Sequence, residues 1–404
     1  MKKFCVDASL IGTKKHVVCD EDGYVLSDSV PRDSWHLTGR IKTSPSAKCL
    51  DTLLKLARVE VPSPPEKHVV AMKLLTSGTL EGVQWQHALS KDDFRIFFEN
   101  LMSVVSSHFH DLSFEYFEGA WTAGSRVLSS LKPAKIDEEQ YDSFVSQNPN
   151  VASLLTFEPN RSGYAKPVVY DRFSTKTGRL TVASGPDILT LKKEFRSVLK
   201  TSFEDGVIAY VDFRALEARI VLAERGKTCD AGDLYQDIAM TMFGGEVSRD
   251  VVKTAVISEL YGISRASLRA RLGVSDDKLD DFIGVVRKHF GIEDLRKRLE
   301  DESRATNAVV NKFGRKVYVA QGQENTLVNS FAQSTGVDVA MSGFDVALRR
   351  LGQDGIRPLY VLHDALLLDV RRDRVEDVKN LTSVSVPPYE SQFPVKVDFL
   401  RDQL

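Results

Sequence analysis

The sequence predicts an α+β fold, in which strands and helices occupy separate stretches of the chain. Three observations carry this. Residues 80–155 and most of 214–351 place apolar side chains at helical spacing. Two strongly apolar runs far apart in the chain, "GVIAYVDF" (206–213) and "PLYVLHDALLLDV" (358–370), read as buried strands. Residues 1 to about 70 hold short apolar runs broken by turn residues, the pattern of a small β-rich segment.

In chain order, 4–6, 16–19 and 24–26 are the first expected strands. "VPSPPEK" at 61–67 is a break, because proline fixes φ and removes a backbone donor. The periodicity of "DDFRIFFENLMSVVSSHF" and "EEQYDSFVSQ" predicts helices within 80–155. After the strand at 206–213, which ends in a carboxylate, helices are expected over 214–225, 231–243, 249–261, 264–271, 276–290 and 293–307, and a long one over 326–351. The run at 358–370 is a strand pair interrupted by His363 and Asp364. No internal repeat or low-complexity segment is present.

With 404 residues, the chain is long enough for two or three domains with buried cores. Its formal net charge of −2 excludes a strongly basic protein that coats nucleic acid, and leaves room for a local basic cleft. Basic residues cluster at Arg265, Arg269 and Arg271, at Arg287, Lys288, Arg296, Lys297 and Arg298, and at Lys312, Arg315 and Lys316. Interleaved acids such as Glu293, Asp294, Glu300 and Asp301 make the middle group a solvated helix face. Cys5, Cys19, Cys49 and Cys229 form no CxxC pair and read as reduced thiols. His108 and His110 have no third ligand in sequence and read as ordinary surface residues. No apolar run approaches membrane-spanning length and the start lacks a signal-peptide core, so a cytoplasmic protein without a membrane partner is expected.

Arg249, Lys253, Ile257 and Tyr261 recur every four residues in "SRDVVKTAVISELYGIS". On an α-helix each sits about one turn above the last, and the four drift across an arc of roughly 120°. Val251, Val252, Ala255, Val256 and Leu260 fall mostly on the remaining arc, which can face a core. The strip offers two cations, then an apolar side chain, then a ring, an order that suits a polyphosphate followed by a sugar and a base. Alone, it fits an amphipathic surface helix equally well. Asp212 and Asp364 are the acids that look out of place, since an unpaired carboxylate in an apolar strand is costly. Each could serve a local salt bridge or turn. Together they could hold divalent cations, because Mg²⁺ takes one or two carboxylates and completes its octahedron with substrate phosphates and water.

Over about residues 170 to 400 the chain resembles the family A DNA polymerases of the bacterial polymerase I and phage type. "DFRALEAR" (212–219), "RDVVKTAVISELYG" (249–262) and "LHDALLLDV" (362–370) are similar to the three polymerase motifs of that family. "STKTGRL" (174–180), "FGRKVY" (313–318) and "NSFAQSTGVD" (329–338) also match in order. The resemblance implies a right-hand architecture, with a palm built on an antiparallel sheet and with helical fingers and thumb. It divides the chain into a β-rich segment of unread role (1–70), thumb and lead-in (71–205), first palm part (206–232), fingers (233–320) and second palm part (321–404).

It also implies template-directed transfer of dNTPs to a primer, with primer–template DNA as partner, two Mg²⁺ as cofactors, and replication accessory proteins as further candidate partners. Asp212, Asp364 and the backbone carbonyl of Phe213 would hold the metals. Arg249 and Lys253 would bind the triphosphate, with Lys253 as proton donor to the leaving group and Tyr235 beside them. Ile257 would pack the sugar, and Tyr261 with the small Gly262 would lie by the templating base. Glu217 resembles a steric gate against a ribose 2′-hydroxyl. Arg179, Asn329, Gln333, His363 and Arg315 would contact the duplex.

Three positions depart from the family pattern. Ile257 stands where Phe or Tyr is usual, Ala365 where Glu is usual and Tyr235 where His is usual. Asp369, further along the same strand, is expected to lie too far away to replace the missing Glu. "FCVDASLIG" has Asp7 followed by Ala8 and Ser9 instead of the DxE that opens the family's proofreading domain, so no intrinsic 3′–5′ exonuclease is expected. A compact enzyme of this kind suits replication of a phage or mobile element. The alternatives are a single-subunit RNA polymerase, against which Glu217 and TGRL argue, and a non-catalytic scaffold, against which the two retained aspartates argue.

Overall fold

In the computed structural model, which describes residues 3–6, 15–20, 22–29, 34–36, 52–60, 62–76, 80, 83, 85–227, 232–272, 275–320 and 322–400, the apolar run at 206–213 forms β1 (Gly206–Phe213). The strand pair expected at 358–370 forms β2 (Ile356–Leu362) and β3 (Ala365–Arg371). With β4 (Ser383–Ser385) and β5 (Gln392–Phe399) they make a five-stranded antiparallel sheet in the order β2–β3–β1–β5–β4. Successive side chains of β1 point to opposite faces. Val207, Ala209, Val211 and Phe213 enter one core, and Ile208 enters a second core with Phe157, Tyr360 and Leu367. Both faces are covered, so the strand reads as continuously apolar. Each Val, Ile, Leu or Phe among them contributes about 1.5–3 kcal/mol when fully buried.

The helices that cover the first face are α1 (Leu216–Ala223) and the long α7 (Leu327–Leu351). Between them come α2 (Leu234–Phe243), α3 (Arg249–Leu260), α4 (Arg265–Leu272), α5 (Asp276–Phe290) and α6 (Ile292–Thr306). α7 lies so close to the sheet that a Cβ on Gly343 would meet the Phe213 ring at 2.6 Å. It also buries two carboxylates. Asp345 is gripped by Arg126, with Nε–Oδ1 at 2.9 Å and Nη2–Oδ2 at 2.6 Å, and Asp338 is gripped by Arg315. Buried charge is tolerated because it is paired.

Contacts divide the chain into two compact units, Met1–Phe117 and Glu118–Leu404. The first holds a four-stranded sheet in the order Gly23–Ser27, His16–Asp20, Lys3–Val6, Ser34–His36, the last pair parallel. These strands lie within residues 1–70, and the unit that holds them runs on to Phe117. The helix Lys91–Ser107, capped by Ser90, turns Phe98, Met102 and Val105 onto Val17 and Cys19 of the sheet. Residues on both sides of the prolines share one core, so the break lies inside the unit. Cys19 is a free, buried thiol that burial pushes up to about 11. The side chains of Cys5, Asp7, Cys49 and Cys229 lie outside the described residues. His108 faces Asp111 at 3.4 Å. Among the described residues no helix is long and apolar enough to cross a membrane.

Candidate active site

β1 and β3 place the two aspartates side by side. Ala365 is the cross-strand partner of Asp212, and the Phe213 N–H donates to the Asp364 carbonyl at 3.0 Å. Leu362 pairs with Ala365, so His363 and Asp364 form a two-residue turn, with His363 at φ +53°. Ala215, three residues after Asp212, has φ +50°. A left-handed conformation costs a non-glycine residue about 1–2 kcal/mol, and such strain persists where surrounding structure holds a functional geometry.

A cavity of about 580 Å³ opens over these acids, a size usual for a ligand site. It brings together all but three of the residues singled out from the sequence: Arg179, Asp212, Phe213, Glu217, Tyr235, Arg249, Lys253, Ile257, Tyr261, Gln333, His363 and Asp364. Burial first, then the facing Asp364 and Asp398, pushes Asp212 up to about 7, against the pull of Lys396 and Lys253. Burial also raises Asp364. Two carboxylates that disfavour each other's charge in one half-buried cleft fit a divalent cation, which would cancel both penalties. His363 is lowered by burial and by Arg179, so its ring is neutral at neutral pH.

α3 presents its strip to this cavity as expected. Ser248 caps its start by accepting from the Val251 N–H, and Val252, Ala255, Val256 and Leu260 are buried behind it. Arg249 Nε is held by Asp233 at 2.7 Å and its guanidinium lies 5.8 Å from the buried Tyr235 ring. Lys253 is exposed and has no ion-pair partner among the described residues. At the other end Arg179 Nη2 donates to Glu217 Oε1 at 2.9 Å and to the Tyr261 hydroxyl at 3.0 Å. Residues given three separate roles therefore form one cluster in this state.

The other three lie outside the cavity lining. Gly262 sits at φ +65° and closes α3: Ile263 N–H reaches the Ser258 carbonyl at 3.0 Å and Gly262 N–H the Glu259 carbonyl at 3.3 Å. Asn329 is half-buried on α7, with its Oδ1 lacking a hydrogen-bond partner among the described residues. Arg315 is buried, with its guanidinium on Asp338 and on the Thr177 carbonyl, so it ties the loop before Arg179 to α7. Asp369 is bound by Thr201 Oγ1 at 2.6 Å and by the Ser202 N–H and hydroxyl at 2.8 and 2.5 Å. It faces Ile208 in the sheet, four residues from Ala365 and roughly 13 Å away along the strand.

Sequence reasoning missed Asp233, Arg214 and Lys396, which also line the cavity. Asp233 had a local signal, since it precedes an apolar helical run and caps α2 through the Tyr235 and Gln236 N–H groups. Lys396 enters through pairing of β5 with β1, where it faces Asp212.

A family model described as DNA polymerase family A matches residues 165–400, more than half of the chain and every residue of this cavity. The chain belongs to the family A DNA polymerases. The thermostable DNA polymerase I of Thermus filiformis is 25% identical over 258 residues, covering 57% of this family A chain and 31% of that protein. The DNA polymerase of Mycobacterium phage L5 is 28% identical over 186 residues, covering 42% and 29%. The chain thus spans about a third of the length of these relatives. The solved POL domain of Pol1 from M. smegmatis, in complex with DNA primer-template and dNTP, shares the fold, with a TM-score of 0.53, 15% identity, and coverage of 96% of this chain and 92% of that one. The departures from the family A pattern all touch the site: Ala365 is beside Asp212, and Ile257 and Tyr235 line the cavity.

Proposed function

We propose that this chain is a template-directed DNA polymerase that adds dNTPs to a primer 3′ end. The observation that carries the reading is that Asp212 and Asp364 share one cavity with the cationic, apolar and aromatic strip of α3. In this reading the five-stranded sheet is the palm and the helices from α2 to α6 are the fingers. The primer 3′-hydroxyl gives its proton to solvent, its oxygen forms a bond to the α-phosphorus of the dNTP, the bond to the β-phosphate oxygen breaks, and pyrophosphate leaves. Two Mg²⁺, held by Asp212, Asp364 and the Phe213 carbonyl, would activate the attacking hydroxyl and stabilise the leaving oxygen. Arg249 exchanges its Asp233 partner for the triphosphate, and Lys253 gives a proton to the departing oxygen. Ile257 packs the sugar, and Tyr261 stacks toward the templating base once Arg179 releases it to contact duplex. Gln333, whose Oε1 accepts from the Thr177 hydroxyl at 3.3 Å, would follow the nascent pair.

Purified protein with primer–template, dNTPs and Mg²⁺ is expected to extend the primer; no extension would sink the reading. Without dNTPs, it is expected to leave a single-stranded 3′ end intact, because the proofreading DxE is replaced around Asp7. Mg²⁺-dependent shortening of that end would contradict this. The similarity to a phage polymerase supports a place in phage or mobile-element replication.

Glu217 lines the cavity, and its Cγ lies 3.6 Å from where a Cβ on Gly336 would stand, so its side chain has α7 behind it. Glu217→Ala is expected to shift the ratio of kcat/KM for rNTP over dNTP upward by about tenfold or more, the size of one steric contact in a pocket. An unchanged ratio would remove Glu217 from sugar selection.

A further inference from the structure

Asp212 has a cross-strand neighbour on each side, Ala365 from β3 and Lys396 from β5. Residues directly opposite in a sheet share a face and stand about 4.5–5.5 Å apart at Cβ. Lys396 therefore occupies the cavity beside the carboxylate, on the side away from Asp364. Its ammonium lies 2.7 Å from Asp398, two residues on and on the same face. Lys396 and Asp398 are each about half exposed, at 53%. The proposed chemistry uses neither residue.

We infer that Lys396 sets how tightly Asp212 takes a divalent cation, by supplying a tethered competing positive charge that Asp398 partly restrains. The inference rests on the reading of Asp212 and Asp364 as the cation ligands. A divalent ion arriving at Asp212 meets the ammonium and is repelled by it, while Asp398 attracts the ion and holds the ammonium back. The two residues thus act on the same site with opposite sign. Neither must touch substrate, so Lys396 is a positioning residue for charge.

The test is Mn²⁺ titration of the full chain followed by electron paramagnetic resonance, without DNA or nucleotide and at fixed ionic strength. Lys396→Met, which keeps length and loses charge, is expected to bind Mn²⁺ about threefold tighter or more, given partial screening at this exposed position. Asp398→Asn is expected to bind it more weakly, and Lys396→Arg to match the wild type. The Mg²⁺ concentration for half-maximal primer extension moves in the same directions. Wild-type or weaker Mn²⁺ affinity in Lys396→Met overturns the inference. An Asp212→Asn variant separates the two levels: if it loses Mn²⁺ while Lys396→Met stays at wild type, only the role of Lys396 falls. If Asp212→Asn binds Mn²⁺ as the wild type does, the cation-site reading falls and the inference with it.

Discussion

Asp364→Ala is expected to lower primer extension by about 10³-fold or more, since losing a cation ligand removes several kcal/mol of transition-state stabilisation. The fold should survive, because the contact that Asp364 makes to β1 runs through its backbone carbonyl. The metal-free variant should also melt higher than the wild type at pH 8. Burial and the facing Asp364 push Asp212 up to about 7 from its ordinary 3.8. Between those values the folded protein keeps a proton that the unfolded chain has lost, so stability falls as pH rises through that window. Removing Asp364 removes one cause of that loss. The gain should be clear at pH 8 and smaller at pH 5, and Mg²⁺ should stabilise the wild type more than the variant. Calorimetry at both pH values, paired with primer extension, checks this. A variant that still extends primers, or that melts lower than wild type at pH 8 without metal, contradicts it.

The parts of this site that could be read from the sequence are those whose signal is local. Asp212 and Asp364 stood out because each interrupts an apolar strand, and the α3 strip stood out because four residues repeat at the pitch of a helix. Gly262 and Asp233 also had local signals, a helix C-cap and an N-cap, and for Gly262 the cap is the role that the structure shows. What escaped was set by pairing across long sequence distances. Nothing in "FPVKVDF" says that Lys396 will face Asp212, because strand register depends on which strand becomes the neighbour. The same holds for the first unit: the apolar stripe of Lys91–Ser107 is legible in the sequence, but not the sheet it covers. Arg249 shows a third kind of limit. Its place on the strip was legible, while its present partner Asp233 became visible only in three dimensions.

Arg315 carries the largest expected effect on stability. In sequence it belongs to a basic group with Lys312 and Lys316, and the family resemblance implies a contact with duplex. In the structure Asp338 is fully buried and receives Arg315 Nε at 3.1 Å, Arg315 Nη2 at 3.0 Å and Asn311 Nδ2 at 2.7 Å. Arg315 Nη1 then reaches the Thr177 carbonyl at 3.2 Å, and the guanidinium fills the space where a Cβ on Gly178 would stand. Arg315→Met leaves the buried Asp338 without its cation, and is expected to cost about 3–5 kcal/mol. Pairing it with Asp338→Leu removes the stranded charge and should bring stability back to within about 1 kcal/mol of wild type. The double variant still lacks the bond to Thr177, so the loop that carries Arg179 into the cavity loses its anchor. Denaturation should therefore show recovery in the double variant while primer–template affinity stays below wild type. If affinity returned together with stability, Arg315 would only balance Asp338, and the Thr177 contact would not position Arg179.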